Sequence, residues 1–142
     1  MFSIQPEQIS KYIVETTNEG VWVINKEMKT QFVNQRMAEM LGFAPEEMRN
    51  THLLDFIFES DKPELFQKIG RRKKGIRDEF DFRYRRKDGA SLWVHISTNP
   101  LFDESGKYIG AVWMFTDITE RKKYEDRLEK SEERYRAFIE HS

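Results

Sequence analysis

Few side chains in this sequence have the type and spacing for chemistry. Carboxylates fall on segments of alternating polarity at Glu79, Asp81 and Asp117, yet no Ser–His or carboxylate pair stands at a nucleophile–base spacing. The histidines, His52, His95 and His141, are scattered and make no metal-ligand pattern. There is no cysteine, which excludes disulfides, thiolate catalysis and Cys-ligated zinc. No Gly-rich phosphate loop is present. The basic run Arg71-Arg72-Lys73-Lys74 lacks interleaved aromatics and reads as a solvated helix C-terminus, where cations are favoured, rather than as a nucleic-acid surface. Catalysis, metal and nucleic acid are thus set aside, and binding and transmission are left.

The composition agrees. The chain has 142 residues with net charge −1, so no global field attracts nucleic acid or an anionic membrane. Apolar residues make up 38% and charged residues 35%, polar for a globular chain, yet 11 Phe, 5 Tyr and 3 Trp can build a core. The large aromatics concentrate between residues 20 and 116, and the C-terminal stretch is mostly charged. One compact domain followed by an exposed helix fits this distribution. No apolar run approaches the roughly 18 residues of a membrane span. Met1-Phe2-Ser3-Ile4-Gln5 lacks the charged start and apolar stretch of a signal peptide. A cytoplasmic chain is expected, whose parent protein could be membrane-anchored elsewhere.

The elements that must position a binding core follow from periodicity. Pro6 suits a first helical position, and Ile9, Tyr12 and Ile13 share one face of an entry helix over 6–17. Gly20 breaks it. Val21-Trp22-Val23-Ile24 and Thr30-Gln31-Phe32-Val33 read as a hairpin around Asn25-Lys26-Glu27. Asn34 is a helix N-cap, and Gly42 ends that short helix in left-handed conformation. Pro45 starts another turn with Glu46 and Glu47 near its positive end. The apolar cluster 53–58 is too short for a long helix. Ser60 or Asp61 caps a longer one, which Gly70 or Gly75 stops. Phe80, Phe82 and Tyr84 then alternate with charges, Asp88-Gly89 turns the chain, and Leu92, Val94, Ile96 and Thr98 alternate again until Pro100 closes the strand. Asp103-Glu104-Ser105-Gly106 turns into a last strand from Tyr108 to Thr116. Strands with helices segregated between them argue α+β with an antiparallel sheet.

At Thr119 the period changes. Tyr124, Leu128, Ser131, Tyr135 and Phe138 are spaced four, three, four, three, a heptad seam. Asp126–Lys130 and Glu132–Arg136 are acid-before-base pairs one turn apart. Phe138-Ile139-Glu140-His141-Ser142 also echoes Ile13-Val14-Glu15-Thr16-Thr17, as though a second unit began there.

Three local matches in this order resemble the PAS family: Phe32-Val33-Asn34, the hairpin from Lys87-Asp88-Gly89 to Trp93-Val94, and Gly110 through Asp117-Ile118-Thr119-Glu120-Arg121-Lys122. The resemblance covers about residues 8 to 122. It implies a five-stranded antiparallel sheet in order 2-1-5-4-3, with short helices over one face enclosing a pocket. It divides the chain into an N-terminal flanking helix (1–18), a PAS core (19–118) and a coiled-coil-like linker helix (119–142) leading into a second repeat. It implies a non-enzymatic module of a multidomain signalling protein, a sensor histidine kinase first, with diguanylate cyclases and chemoreceptors as the alternative.

Strand alternation together with the resemblance turns Trp22, Ile24, Phe80, Phe82, Tyr84, Val94, Ile96, Trp113 and Phe115 inward. With Met37, Met40, Leu41, Leu54 and Ile57 they either line a ligand cavity or fill the core solidly. Tyr84, Thr98 and Thr51 are the polar groups placed to orient a ligand. The light-sensing flavin branch of the family uses a reactive Cys where this chain has Thr51, so its thiol adduct is not expected. Family haem sensors use a His on the long helix before the third strand, and Ser60 to Gly70 has none. No cofactor is assigned, and an unidentified small ligand is left open. Signal transmission is assigned to Asp117, Ile118 and Thr119, the pivot between sheet and exit helix. Two copies are expected to pair through the seam Tyr124, Leu128, Ser131, Tyr135 and Phe138, the polar Ser131 keeping the coil weak. A ligand-free dimerisation or protein-interaction module is the rival reading.

Overall fold

The structure is a computed structural model that describes residues 6–72 and 77–140. Five strands form one antiparallel sheet: β1 (Gly20–Asn25), β2 (Thr30–Val33), β3 (Asp78–Arg85), β4 (Ser91–Phe102) and β5 (Tyr108–Asp117). Their order is β2-β1-β5-β4-β3, the one the resemblance implied. The helices are α1 (Pro6–Thr16), α2 (Gln35–Leu41), α3 (Pro45–Met48), α4 (Lys62–Arg72) and α5 (Thr119–Glu140), with single 3₁₀ turns at Leu53–Phe56 and Glu59–Asp61. The inner face of the sheet and the helices between β2 and β3 share one buried cluster.

Local chemistry sets the boundaries. Asn34 has extended backbone, and its Oδ1 accepts from Met37 N–H, the N-cap arrangement. Gly42 closes α2 at φ 83°. Pro45 opens α3, and Glu47 Oε1 accepts from Ala44 N–H at 3.0 Å. That backbone bond and the Lys87 ammonium hold the Glu47 carboxyl below the usual carboxylate range. His52 sits at the start of the first 3₁₀ turn, where its Nδ1 accepts from Leu54 N–H. Gly89 and Gly106 supply the positive φ of the β3–β4 and β4–β5 turns.

Two expected boundaries differ, and of the two alternatives for a third one is excluded. Pro100 does not close β4, which runs on to Phe102. Thr98 is the last β4 residue paired with β3 among the described residues, so Pro100 stands past the described end of that ladder, where a missing N–H is tolerated. Neither Ser60 nor Asp61 caps α4. Both lie in the preceding 3₁₀ turn, and Asp61 Oδ2 instead accepts from Arg83 Nε at 3.0 Å. Gly70 does not stop α4, which continues through Arg72. Gly75, Lys73, Lys74, His141 and Ser142 lie outside the described residues.

Both edges of the sheet are guarded. The start of β2 is covered by the segment before the first 3₁₀ turn, through Thr30 N–H to Thr51 O at 2.8 Å and Asn50 N–H to Thr30 O at 3.0 Å. The β3 edge carries Asp78, Glu79, Asp81, Arg83 and Arg85, charges that oppose edge-to-edge pairing.

Gly110 marks the closest backbone approach. It pairs with Asn25 at the end of the β1–β5 ladder, and a Cβ there would stand 2.2 Å from Ile24 O. The obstacle is backbone, so no rotamer change relieves it. Gly110→Ala is expected to destabilise the domain by about 2–3 kcal/mol. Urea unfolding with an unchanged slope and a lower midpoint would show it, and an unshifted midpoint would contradict this packing.

Candidate functional site

The conspicuous site is the junction where β5 becomes α5. Asp117 pairs with Val94 at the end of the β4–β5 ladder. One step further, the N–H and C=O of Trp93 on β4 point to the side where β5 has ended. Ile118 N–H donates to Trp93 O at 2.8 Å, continuing the ladder by one bond. Trp93 N–H donates to Thr119 Oγ1 at 3.1 Å. A hydroxyl thus stands in for the next backbone carbonyl, which frees the main chain to turn away from the sheet.

The same residues start the helix. Ile118 C=O accepts from Lys122 N–H at 3.0 Å, which makes Ile118 the N-cap residue. Asp117 Oδ1 accepts the Thr119 N–H at 2.9 Å. Asp117 therefore takes an orphan amide of the helix, and Thr119 turns its hydroxyl to the sheet. Asp117 Oδ2 lies 3.8 Å from Arg86 Nη2 of the hairpin arm. Ile118 and Thr119 are buried. Lys122 lies over the Trp93 ring, 4.7 Å from its centroid. Arg121 Nη2 donates to Asp81 Oδ2 of β3 at 3.0 Å, and the other Asp81 oxygen is 2.8 Å from His95 Nδ1 of β4.

The entry side has its own anchor. Asn34 is fully buried. Its Oδ1 also accepts from Val21 N–H at 2.9 Å, and its Nδ2 donates to Val14 O at 2.8 Å and Glu19 O at 3.1 Å. One amide joins α1, β1 and α2.

Both flanking helices leave apolar side chains in water. On α1, Ile9, Tyr12 and Ile13 are 44%, 70% and 59% exposed. On α5, Tyr124, Leu128, Tyr135 and Phe138 are 50–72% exposed, and Ser131 is exposed beside them. The seam does not fold back on its own sheet. Basic Arg127 and Arg134 precede Leu128 and Tyr135, and acidic Glu125 and Glu132 follow Tyr124 and Ser131.

Most of the expected pocket residues meet in one cluster. Trp22, Ile24, Met37, Met40, Leu41, Ile57, Phe82, Tyr84, Val94, Ile96, Trp113 and Phe115 are buried in it, with Leu54 and Phe80 packed against it. The rings interlock. Trp22 lies 5.2 Å from Phe56 and 5.6 Å from Phe115, and Tyr84 meets Phe115 edge-on at 5.3 Å. Thr51 and Thr98 hold the protein itself. Thr51 hydroxyl donates to Met48 O and lies 3.3 Å from Thr30 Oγ1, which accepts the Trp22 indole N–H at 2.9 Å. Thr98 Oγ1 donates to Asp78 O and accepts from Asp78 N–H. Surface grooves reach this cluster at its rim, at Ile57 and Phe82. Among the described residues, no group of His and acids is placed to hold a metal ion, and no helix is long and apolar enough to cross a membrane.

Sequence reasoning missed Trp93, Asp81, His95 and Arg121 as members of the junction. The alternation that turned Phe80 and Phe82 inward already placed Asp81 on the other face. Its meeting with Arg121 depends on the direction in which α5 leaves.

The family model of the PAS domain matches residues 18–120. Among curated proteins, the sensor protein TdiS of Thauera aromatica is 32% identical over 113 residues, covering 75% of this chain and 20% of that protein. Sporulation kinase C of Bacillus subtilis (strain 168) is 25% identical over 122 residues, covering 86% of this chain and 28% of that protein. The chain thus spans less than a third of either relative. Among solved structures, the PAS domain of a protein from Colwellia psychrerythraea superposes with a TM-score of 0.76 at 15% identity, covering 82% of this chain and 99% of that one, a similarity of fold. One uninterrupted match takes in the whole sheet, its core and its exit junction, and on that ground the chain belongs to the PAS domain family of sensory modules.

Proposed function

We propose that this chain is the signal-input module of a larger cytoplasmic sensor protein of the histidine kinase type, and that α5 carries its output to a paired second copy. The observation that carries the reading is the junction at Trp93 and Thr119. The exit helix is held by the sheet through side-chain and backbone bonds together, so a shift of β4 moves the helix with it. The relatives, a sensor protein and a sporulation kinase, support a kinase parent.

The charge pattern of the seam supports a parallel pair. With Leu128 and Tyr135 as a positions and Tyr124, Ser131 and Phe138 as d positions, g positions hold Arg127 and Arg134 and e positions hold Glu125 and Glu132. Parallel strands bring Arg127 of one copy to Glu132 of the other. Antiparallel strands bring like charges together. The polar Ser131 keeps such a coil weak enough to switch.

The input is a partner contact or a small ligand that displaces a side chain. The interlocked rings of Trp22, Phe56, Tyr84 and Phe115 fill the space a large planar cofactor would need. This packing also favours the rival reading, a ligand-free interaction module. An absorption scan and native mass spectrum of the purified chain test whether the core is filled by the protein alone. The bare polypeptide mass is expected, and a visible chromophore would contradict the filled core.

Two further outcomes are expected. Thr119→Val keeps the shape but strips Trp93 N–H of its acceptor. It is expected to cost about 1–2 kcal/mol in urea unfolding and to uncouple output in the parent protein, with Thr119→Ser retaining both. Unchanged stability and output in Thr119→Val would remove the junction from the mechanism. In equilibrium sedimentation the chain is expected to dimerise, Leu128→Glu to be monomeric, and Arg127→Glu to be weakened and then restored by Glu132→Arg. A wild-type chain that sediments only as monomer would contradict the pairing.

A further inference from the structure

The geometry points to Asp81 as the positioning residue of the exit helix: its two carboxylate oxygens join β4, through His95, to the first turn of α5, through Arg121. This rests on the reading that α5 carries the output, and it adds the strand that steers it. The helix grows covalently out of β5, yet Asp81 belongs to the edge strand β3, 40 residues away from Arg121 in sequence. Asp81 and His95 are register partners, so the carboxylate is held at the sheet surface before the helix meets it.

Strand alternation ties this carboxylate to the core. Asp81 lies between Phe80 and Phe82, whose rings point the other way, Phe80 to within 6.4 Å of the Trp113 ring and Phe82 to within 6.2 Å of Tyr84. A change that displaces these rings slides β3, and Asp81 moves with it. Trp93 fixes one point of the helix start and Asp81 fixes a second, on a different strand. Two points define a direction, where one defines only a pivot.

The strength of the bond suits the task. The Arg121 side chain is 54% exposed and Asp81 34%, so the ion pair is partly screened by solvent. Such a pair opens and closes readily, whereas the buried Thr119 contact persists. Arg121 Nε also lies 3.4 Å from Glu125 Oε1 on its own helix, which gives the guanidinium a second acceptor when it leaves Asp81.

The test uses nuclear magnetic resonance on the whole chain. Asp81→Asn and Arg121→Gln are each expected to raise amide exchange at Lys122 and Lys123 by about two- to five-fold, the range of an exposed ion pair. The double variant is expected to match either single one, with the core amides of Trp22 and Phe115 unchanged. Arg121→Gln is also expected to shift the His95 ring resonances in wild-type background and to leave them still in Asp81→Asn, because Arg121 reaches His95 through that carboxylate. Multiplying effects in the double variant, or a His95 shift that survives Asp81→Asn, would overturn the coupling. Should Asp81→Asn disturb the core amides, Arg121→Gln alone decides, since it lies on an exposed helix face: no movement of His95 would overturn the proposal. In the parent protein, output that ignores Asp81→Asn but is lost in Thr119→Val would overturn the steering by Asp81 and leave the output role of α5 standing, whereas output that ignores both would remove the reading on which the proposal rests.

Discussion

A backbone amide and carbonyl turned away from water must find partners, and on one side of Trp93 β5 has ended and cannot provide them. Everything distinctive about the C-terminal half of this domain follows from how that demand is met. Ile118 N–H takes the carbonyl, and the Thr119 hydroxyl takes the amide. Because an oxygen of a side chain replaces one of the main chain, the backbone is released from extended geometry and turns into a helix at the same residue. Asp117 then takes the Thr119 N–H that the turn leaves over. Three consecutive residues thus complete a sheet and open a helix, and neither end can be satisfied without the other.

The entry helix is bound by similar means. Asn34 answers the Val21 amide of β1 while holding two carbonyls of the segment that arrives from α1. Both flanking helices are therefore fixed at their roots by polar contacts near the sheet, and both keep apolar side chains exposed along their lengths. Contacts at the root give direction, and an exposed stripe offers a surface for pairing. A helix that folded back onto its own sheet would bury the stripe and lose its reach.

Much of this was legible in the sequence because it is local. The alternation 80-82-84, the left-handed glycines, the Asn34 cap and the change of period at Thr119 each depend on residues a few positions apart, and each stands where it was read. Pro100 was misread because its tolerance depends on where β3 ends, a fact about another strand. Of the two glycines read as ending α4, Gly70 is passed through because a glycine in a helix interior costs only about 1 kcal/mol, which tertiary packing overrides, and Gly75 lies outside the described residues. The Asp81–His95–Arg121 group was invisible for a stronger reason. Its members are 14 and 40 residues apart, and their meeting depends on sheet register and helix direction jointly. Whether the aromatic residues leave room for a ligand is likewise a matter of summed volumes and ring angles, which no periodicity encodes.

The central claim is that the exit helix is bolted to β4 through the Trp93 amide. Native-state hydrogen exchange of that one amide tests it most directly. If the Thr119 hydroxyl holds it, Trp93 N–H exchanges as slowly as the amides of Val94 and Ile96 within the sheet. Exchange at the rate of an open strand end would contradict the account, because the helix would then leave the sheet without a hold on it.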